Sequence, residues 1–585
     1  MDVNMEREMI YKSNDINIVM ALSELRKNII GWFPIREDAD ILEIGGNYGE
    51  ITEELCRKGK TITVEPDTSK AELIYERLKK VSNLEIISKK LNEIKFEKSF
   101  DYITLIGCLE NIDSLYGEYK DSSEAFFELL KYLKTLLKPS GKILLAFDNK
   151  YGIKYWAGAV NNRDENAYKA VFDEKNILYK DKVQEIIKSA GFDKMKFYYP
   201  LPDYKLANVI YSSDYLPKPN EAKLRYYAYY NDYSNIIFNE IGAINTLAKD
   251  GKFEDFANSY FVEISNDGNL CDTKFASFNN LRKREKRLLT RIVGDKVYKE
   301  SIEDESKQFM DEYLNNLERI KMLGFNSLEE IEDNKVVSPY LDYMTLTEKL
   351  VEYAKKENIS LFYDTIGDWY EKIKNLLGIT QNEDSEGNKS DLNYTSNGFI
   401  DLTFDNVFVN NNEYYVFDQE WFKSNIPVEF ILYRSICNMY EYNPELNKIV
   451  DKNDVLNKFN LSTHEDYFKE LEEQFRNEVT DSEIVEFYNS TYKNVLYLND
   501  LVNNYKEMIN NNEKLKENVN YFIENENKLN EKINELNKII ESQNEELNTE
   551  NNKINKLNSE LMEIKKTKTW KLINYFKRNG EDDRR

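Results

Sequence analysis

Residues 39–55 read Ala-Asp-Ile-Leu-Glu-Ile-Gly-Gly-Asn-Tyr-Gly-Glu-Ile-Thr-Glu-Glu-Leu, an apolar run, a glycine-rich turn and the opening of an amphipathic helix. Glycines at this junction permit a tight turn and close backbone approach to a ligand, and the helix start that follows offers unpaired N–H groups to an anion. Glu43, Gly45, Gly46 and Gly49 are therefore candidate binding residues. The next apolar run, Thr-Ile-Thr-Val-Glu-Pro-Asp, places Glu65 at the end of a second strand, where a carboxylate can accept hydrogen bonds from paired hydroxyls.

Outward from this segment the alternation persists. Leu-Glu-Ile-Ile (84–87), Tyr-Ile-Thr-Leu-Ile-Gly (102–107) and Lys-Ile-Leu-Leu-Ala-Phe (142–147) are further strands, with helical periods between them, so a parallel sheet covered by helices is expected. Beyond Tyr260 the pattern becomes antiparallel, and Gly294-Asp295 marks a hairpin before Lys-Val-Tyr-Lys-Glu-Ser-Ile. Helical segments follow from Lys307. The 585 residues are enough for several cores, and 41% hydrophobic and 13% aromatic residues are enough to fill them.

The charge, 105 acidic against 80 basic residues for a net −25, opposes a nucleic-acid backbone as general partner. Four cysteines far apart, with no CxxC, offer neither a disulfide framework nor a common zinc site, and the chain reads as cytoplasmic. No window is apolar enough to span a membrane, so any membrane contact is expected to be peripheral. His464 is the single histidine, and its polar loop Leu-Ser-Thr-His-Glu-Asp reads as surface.

Glu-x-Gly-x-x-x-Gly, the downstream Glu65, Phe-Asp-Tyr-Ile-Thr-Leu-Ile-Gly-Cys-Leu-Glu-Asn-Ile and Leu-Leu-Lys-Pro-Ser-Gly-Lys-Ile-Leu-Leu-Ala-Phe-Asp-Asn together resemble class I S-adenosylmethionine-dependent methyltransferases. That resemblance implies a Rossmann-like α/β domain in which Glu43 and Gly45 border the methionine end, Glu65 binds the ribose, and Gly107 to Glu110 line the cofactor floor. Asn47 stands where the family usually has a third glycine, and asparagine tolerates the left-handed conformation such a turn needs. A dinucleotide-binding domain competes, but GxGxxG is absent. With no histidine in this half to act as base, an acceptor that is already ionised, a phosphate or carboxylate, is favoured over a plain hydroxyl. Lys150, Lys154 and Arg163 could hold such an anion or be solvated loop charges.

A second constellation lies in Gly-Phe-Ile-Asp-Leu-Thr-Phe-Asp-Asn (398–406) and the strand pair ending at Asp418. Asp401, Asn406 five residues on and Asp418 twelve beyond supply an acceptor-orienting carboxylate and two oxygen ligands for magnesium. The pattern resembles the aminoglycoside-phosphotransferase-like branch of the protein-kinase fold. Carried over, Asp401 is the catalytic residue, Asn406 and Asp418 bind Mg, and Lys299 with Glu312 hold ATP, Lys296 and Glu305 being alternatives. Phe399 replaces the usual histidine, Asp418-Gln419-Glu420 replaces Asp-Phe-Gly, and no glycine-rich loop precedes Lys299.

From about Leu501, Ile533, Ile540, Leu547, Ile554 and Leu561 recur as heptad position a, with Leu529, Leu536, Gln543, Glu550, Leu557 and Ile564 at d, an intermolecular coiled coil in expectation. Between Lys565 and Arg578 six basic residues and no acids interleave with aromatics, a docking face for an anionic membrane surface. The expected domains are 1–215 (methyltransferase), 216–500 (α+β, kinase-like), 501–566 (coiled coil) and 567–585 (basic aromatic tail). In this order they resemble bacterial kinase-methyltransferase chain terminators of O-antigen synthesis. That implies a glycan or phosphoglycan acceptor, a homo-oligomer, glycosyltransferase partners and a place at the inner face of the cell membrane. The alternative is a methyltransferase whose kinase-like domain is a non-catalytic binding module that recruits glycosyltransferases. A coiled-coil scaffold with two degenerate domains is the third reading.

Overall fold

The structure, a computed structural model, describes residues 9–10, 12, 16–117, 121–160, 168–173, 176–218, 221, 238, 240–383, 389–411, 413–486, 532, 549, 552 and 555–579. The chain divides into two compact units, Met1–Leu498 and Asn499–Arg585.

In the first unit, β1 (Ala39–Ile44), β2 (Gly59–Val64), β3 (Leu84–Ile87), β4 (Phe100–Ile106) and β5 (Leu137–Asp148) pair in parallel in the order β3-β2-β1-β4-β5. Both faces are covered, so β1 and the Ile143–Phe147 run of β5 are buried almost continuously rather than on alternate residues. Three crossover helices do the covering. They are α1 (Glu50–Lys58), α2 (Thr68–Leu78), whose first amides are capped by Asp67, and α3 (Ser122–Leu136), capped by Asp121. In α3 the buried positions Phe126, Leu129, Leu130 and Leu133 fall at the spacing of a single helical face.

The sheet continues past β5 with antiparallel strands. These are β6 (Lys194–Leu201), which follows the helix α4 (Lys180–Ser189), then β7 (Val209–Ser212) and β8 (Ser259–Ser265). The division expected at 215 does not follow this sheet. Strand β8, on the far side of that boundary, lies between β5 and β6, with Ala146 opposite Phe261 on one edge and Phe197 opposite Val262 on the other. Every residue of β8 is buried, and such a strand carries no local mark of the partners it will take.

Beyond β7 come β9 (Thr273–Phe278), β10 (Leu288–Val293), β11 (Lys296–Ser301), β13 (Lys335–Pro339) and β12 (Glu330–Glu332), all antiparallel, so one 13-stranded sheet runs from β3 to β12. The expected hairpin is present, Val293 pairing with Lys296 across Gly294-Asp295, with only Gly294 at positive φ (+60°). Helix α5 (Lys307–Met322) leads from β11 towards β12. Four further helices, α6 (Leu346–Lys355), α7 (Ile359–Leu377), α8 (Val428–Tyr442) and α9 (Glu465–Val479), share a second apolar core. The hairpin Val407–Asn410 with Glu413–Val416 contributes Val407 and Val416 to that core.

In the second unit residues 555–566 and Lys568–Asn579 are helical, and Leu557, Leu561, Ile564, Leu572, Ile573 and Tyr575 are exposed. The coiled-coil expectation falls almost entirely outside the described residues. No helix among the described residues is long and apolar enough to cross a membrane.

Candidate functional site

The turn after β1 is built as its residue types require. Gly45 has φ +78° and Asn47 φ +49°, and Gly49 (φ +85°) precedes the first turn of α1 with no side chain capping it. A Cβ on Gly45 would meet the Cβ of Cys108 at 2.8 Å, while one on Gly46 would press on Thr63 and Ile74. The backbone therefore lies close against the sheet end, and no N-cap side chain covers the start of α1.

Glu65 joins the turn directly. Its Oε2 accepts the Asn47 N–H at 3.0 Å and its Oε1 the Asp67 N–H at 3.1 Å, which leaves lone pairs on both oxygens. Burial pushes its pKa up against the pull of those two amides. Glu43 sits lower than expected, fully enclosed, where its Oε2 accepts from Thr52 Oγ1 (2.6 Å) and Thr63 Oγ1 (2.8 Å). Burial raises its pKa to about 7. It braces the turn from beneath. Gly107 (φ +71°) closes the end of β4, where a Cβ would meet Tyr204 Oη at 2.7 Å, and Glu110 lies half-buried in the one-turn helix Leu109–Asn111. Turn, helix start and Glu65 carboxylate fit an adenosyl donor with a ribose and a charged amino-acid end.

Beside this floor is a buried charge quartet. Lys154 Nζ lies 2.6 Å from Asp148 and 2.7 Å from Asp203, and Lys205 Nζ lies 2.5 Å from Asp148 and 3.6 Å from Asp203. Burial raises the Asp148 pKa, but the two ammonium groups outweigh it and hold the carboxylate below its ordinary range. Lys154 is thus committed to acids rather than offered to an anionic acceptor. Arg163 lies outside the described residues. Arg26 reaches the same region, donating to Tyr204 O (2.8 Å) and pairing with Glu50 at 3.7 Å.

In the second constellation most of the expected residues come together. The backbone oxygen of Asp401 accepts from Asn406 Nδ2 (3.1 Å) and Gln419 Nε2 (3.0 Å), and Phe417 N donates to Asn406 O at 3.1 Å. The Asp401 carboxylate is held 2.6 Å from Arg434 of α8, which also binds Glu472 of α9. Its pKa is raised, burial exceeding the effect of Arg434. Asp418 is a non-glycine residue at φ +62°, a strained conformation of the kind that gathers at functional sites, and Lys299 pairs with it directly. Of the two candidate lysines, Lys299 is the mostly buried one, and Lys296 lies exposed against Glu332.

Glu312 is a correction. It is half-exposed, 3.5 Å from Lys286, and the acids that face Lys299 are Asp418 and Glu420 (3.2 Å). The α5 face turned inwards presents Tyr313 and Asn316, and Asn316 Nδ2 donates to Glu420 O. Glu305 likewise faces Arg284 at 3.8 Å. Burial lifts Glu420 to about 7, and Glu329, which accepts from Tyr313 Oη and from the Asp418 N–H, is also raised by burial.

Arg282 was not anticipated. Its guanidinium binds Glu420 at 2.5 Å and lies 5.3 Å from the Trp421 ring centre. Five of the six residues 282–287 are basic, a local reversal in an acidic chain that could have pointed to it. Arg282, Lys299, Glu329 and Asp418 line a cleft of about 470 Å³ whose walls include Phe275, Ile292, Val297, Val336 and Phe417. Among the described residues no group of three or more His, Cys, Asp or Glu could hold a metal. The free Oδ1 of Asn406 and the Asp418 carboxylate are nonetheless hard oxygen donors of the kind magnesium takes, with water and phosphate completing its shell.

Residues 20–195 match the family described as Methyltransferase domain, and this segment is a Rossmann-like methyltransferase fold. Over 93 residues, 16% of this chain, it is 36% identical to the "Probable ribosomal RNA small subunit methyltransferase A" of Methanosarcina acetivorans, of whose length the match spans 30%. Among solved structures it is similar to phosphoethanolamine N-methyltransferase 1 of Haemonchus contortus in complex with phosphoethanolamine and S-adenosylhomocysteine. That similarity has 18% identity, 26% of this chain, 35% of that chain and a TM-score of 0.20. It is also similar to the N-methyltransferase NodS of Bradyrhizobium japonicum, at 8% identity, 41% of this chain, 93% of that chain and a TM-score of 0.25.

Proposed function

We propose that the methyltransferase domain, completed by β8, transfers a methyl group from S-adenosylmethionine to an anionic group on a cell-surface glycan. We propose further that the second constellation, with ATP and Mg, phosphorylates the acceptor first. The carrying observation is the Gly45–Gly49 turn joined to Glu65 through the Asn47 amide, a cradle with two backbone-anchored carboxylate oxygens facing the helix start. S-Adenosylmethionine supplies an activated methyl group, and an ionised phosphate acceptor needs no base, which suits a half of the chain without histidine. For the second site, support comes from the gathering of Asp401, Asn406, Asp418 and Lys299 and from a cleft of nucleotide size.

A binding-module reading of the second site is favoured by one observation. Lys299 is neutralised by Asp418 and Glu420, with Glu312 turned away. The two readings separate when full-length protein is incubated with Mg, γ-labelled ATP and a glycan panel, with Asp401→Asn and Asp418→Asn as controls. Label transfer lost in both variants supports the phosphotransferase. No transfer, with methylation of a non-phosphorylated glycan intact, supports the module. The tail helix Lys568–Asn579, with Leu572, Ile573 and Tyr575 exposed among lysines, supports docking on anionic vesicles, and exposed Leu557, Leu561 and Ile564 support self-association through the heptads.

A further inference from the structure

The floor of the cleft is ordered in rows. Ser277, Thr290, Lys299 and Val336 are direct partners across four adjacent strands, so their side chains share a face. Two residues along, Phe275, Ile292, Val297 and Ser338 form the next row on that face, and both rows line the cleft. Apart from Val336 the first row is polar and carries the Lys299 ammonium, shared with Asp418 and Glu420, and the second is mostly apolar. An occupant therefore has a flat apolar end and an anionic, acceptor-rich end.

Asn208 also lines the cleft, but beside the polar row rather than in it: it precedes Val209, the partner of Ser277, and pairs with Phe278, so the pleat turns it to the other face. It belongs to the stretch joining β6 and β7, outside the lysine and aspartate constellation. Its orientation is fixed by a chain of amides. Asn28 Nδ2 donates to the backbone oxygen of Ala207 (3.0 Å), an atom that can only accept, and to Asn280 Oδ1 (3.1 Å). Asn280 Nδ2 then donates to Asn208 Oδ1 at 2.5 Å. What remains on Asn208 is Nδ2, a donor for which no acceptor is found among the described residues, on a side chain only 3% exposed. A buried donor without an acceptor is costly, and an acceptor brought by a ligand removes that cost.

We propose that Asn208 donates this N–H to a phosphate oxygen of a nucleotide held in the cleft, so that the methyltransferase sheet supplies part of the nucleotide's grip alongside Lys299 and Arg282. The inference rests on the nucleotide reading of the cleft and adds a recognition residue to it. Calorimetry on the full chain with Mg and ATP, ADP or adenosine tests it. Asn208→Asp keeps the size and still accepts from Asn280, but it sets a carboxylate where the donor stood. It is expected to weaken ATP and ADP about tenfold or more, with adenosine within twofold. Asn208→Ala, checked by its melting curve, is a second variant for the case in which the buried carboxylate prevents folding, and it should show the same split. Equal losses for ATP and adenosine would mean a structural role and overturn the proposal. Unchanged ATP affinity in both variants, with affinity lost in Lys299→Met, overturns it and leaves the nucleotide cleft standing. If the unaltered protein binds neither ATP nor ADP, the nucleotide reading itself is wrong and the inference goes with it.

Discussion

Replacing Glu65 by Gln changes one oxygen for an NH2 and leaves the shape alone. In the structure the two carboxylate oxygens are used separately, Oε2 by the Asn47 N–H and Oε1 by the Asp67 N–H. A carboxamide can serve only one of them, so a donor is turned against a donor in a site where Glu65 is 5% exposed. Leaving one amide unmet costs about 1–3 kcal/mol of stability, seen as a lower melting temperature. Binding loses a second quantity, because hydroxyls that bonded a charged acceptor, worth about 1.5–3 kcal/mol each, meet a neutral one worth roughly 0.5–1.5. S-Adenosylhomocysteine affinity, measured by titration calorimetry below the melting range, should therefore fall by 1–3 kcal/mol, about 5- to 150-fold. A variant that melts earlier yet binds S-adenosylhomocysteine within twofold of the unaltered protein would show that Glu65 only pins the turn, and the ribose assignment would fall.

Three further outcomes are expected. Glu43 keeps its proton in the folded state up to about pH 7 but loses it near 4.5 when unfolded, so its contribution is intact at low pH and declines as pH rises from 4.5 to 7, by about 3 kcal/mol at most. Glu43→Gln, which can still accept from both threonines, should flatten the melting-temperature profile over that window, and an unchanged slope would refute the buried-acid account. Asp148→Ala leaves Lys154 and Lys205 facing Asp203 alone and should cost about 3–5 kcal/mol in denaturant unfolding. Glu312→Ala should alter stability by less than about 0.5 kcal/mol and leave ATP binding as it was, whereas Lys299→Met should abolish that binding.

What the sequence revealed and what it hid divide along physical lines. The turn from β1 into α1, Glu65, and the Asp401, Asn406 and Asp418 set were legible because their spacing is local, each residue lying at a strand end or in a short loop that fixes its direction. Lys299 was legible as a strand residue, but its acid was not. An exposed Glu312 and an inward Tyr313 are neighbours on one helix, and only packing tells which faces the sheet. Glu420 and Arg282 meet across 138 residues, a separation at which no periodicity speaks. The insertion of β8 was invisible for the same reason, since the central run Tyr260–Val262 of a wholly buried strand suits any central slot and the one it takes is decided by the rest of the sheet.

That insertion also bears on how the chain is made. As a ribosome releases β1 to β7, the gap between β5 and β6 stays open, and both bordering edges keep their N–H and C=O groups unsatisfied until Ser259–Ser265 has emerged. A nascent chain halted anywhere between 215 and 258 would expose the facing borders of β5 and β6 together with the β7 border that later takes β9, so synthesis of the stretch across the expected boundary is an interval in which open strand edges invite misassociation.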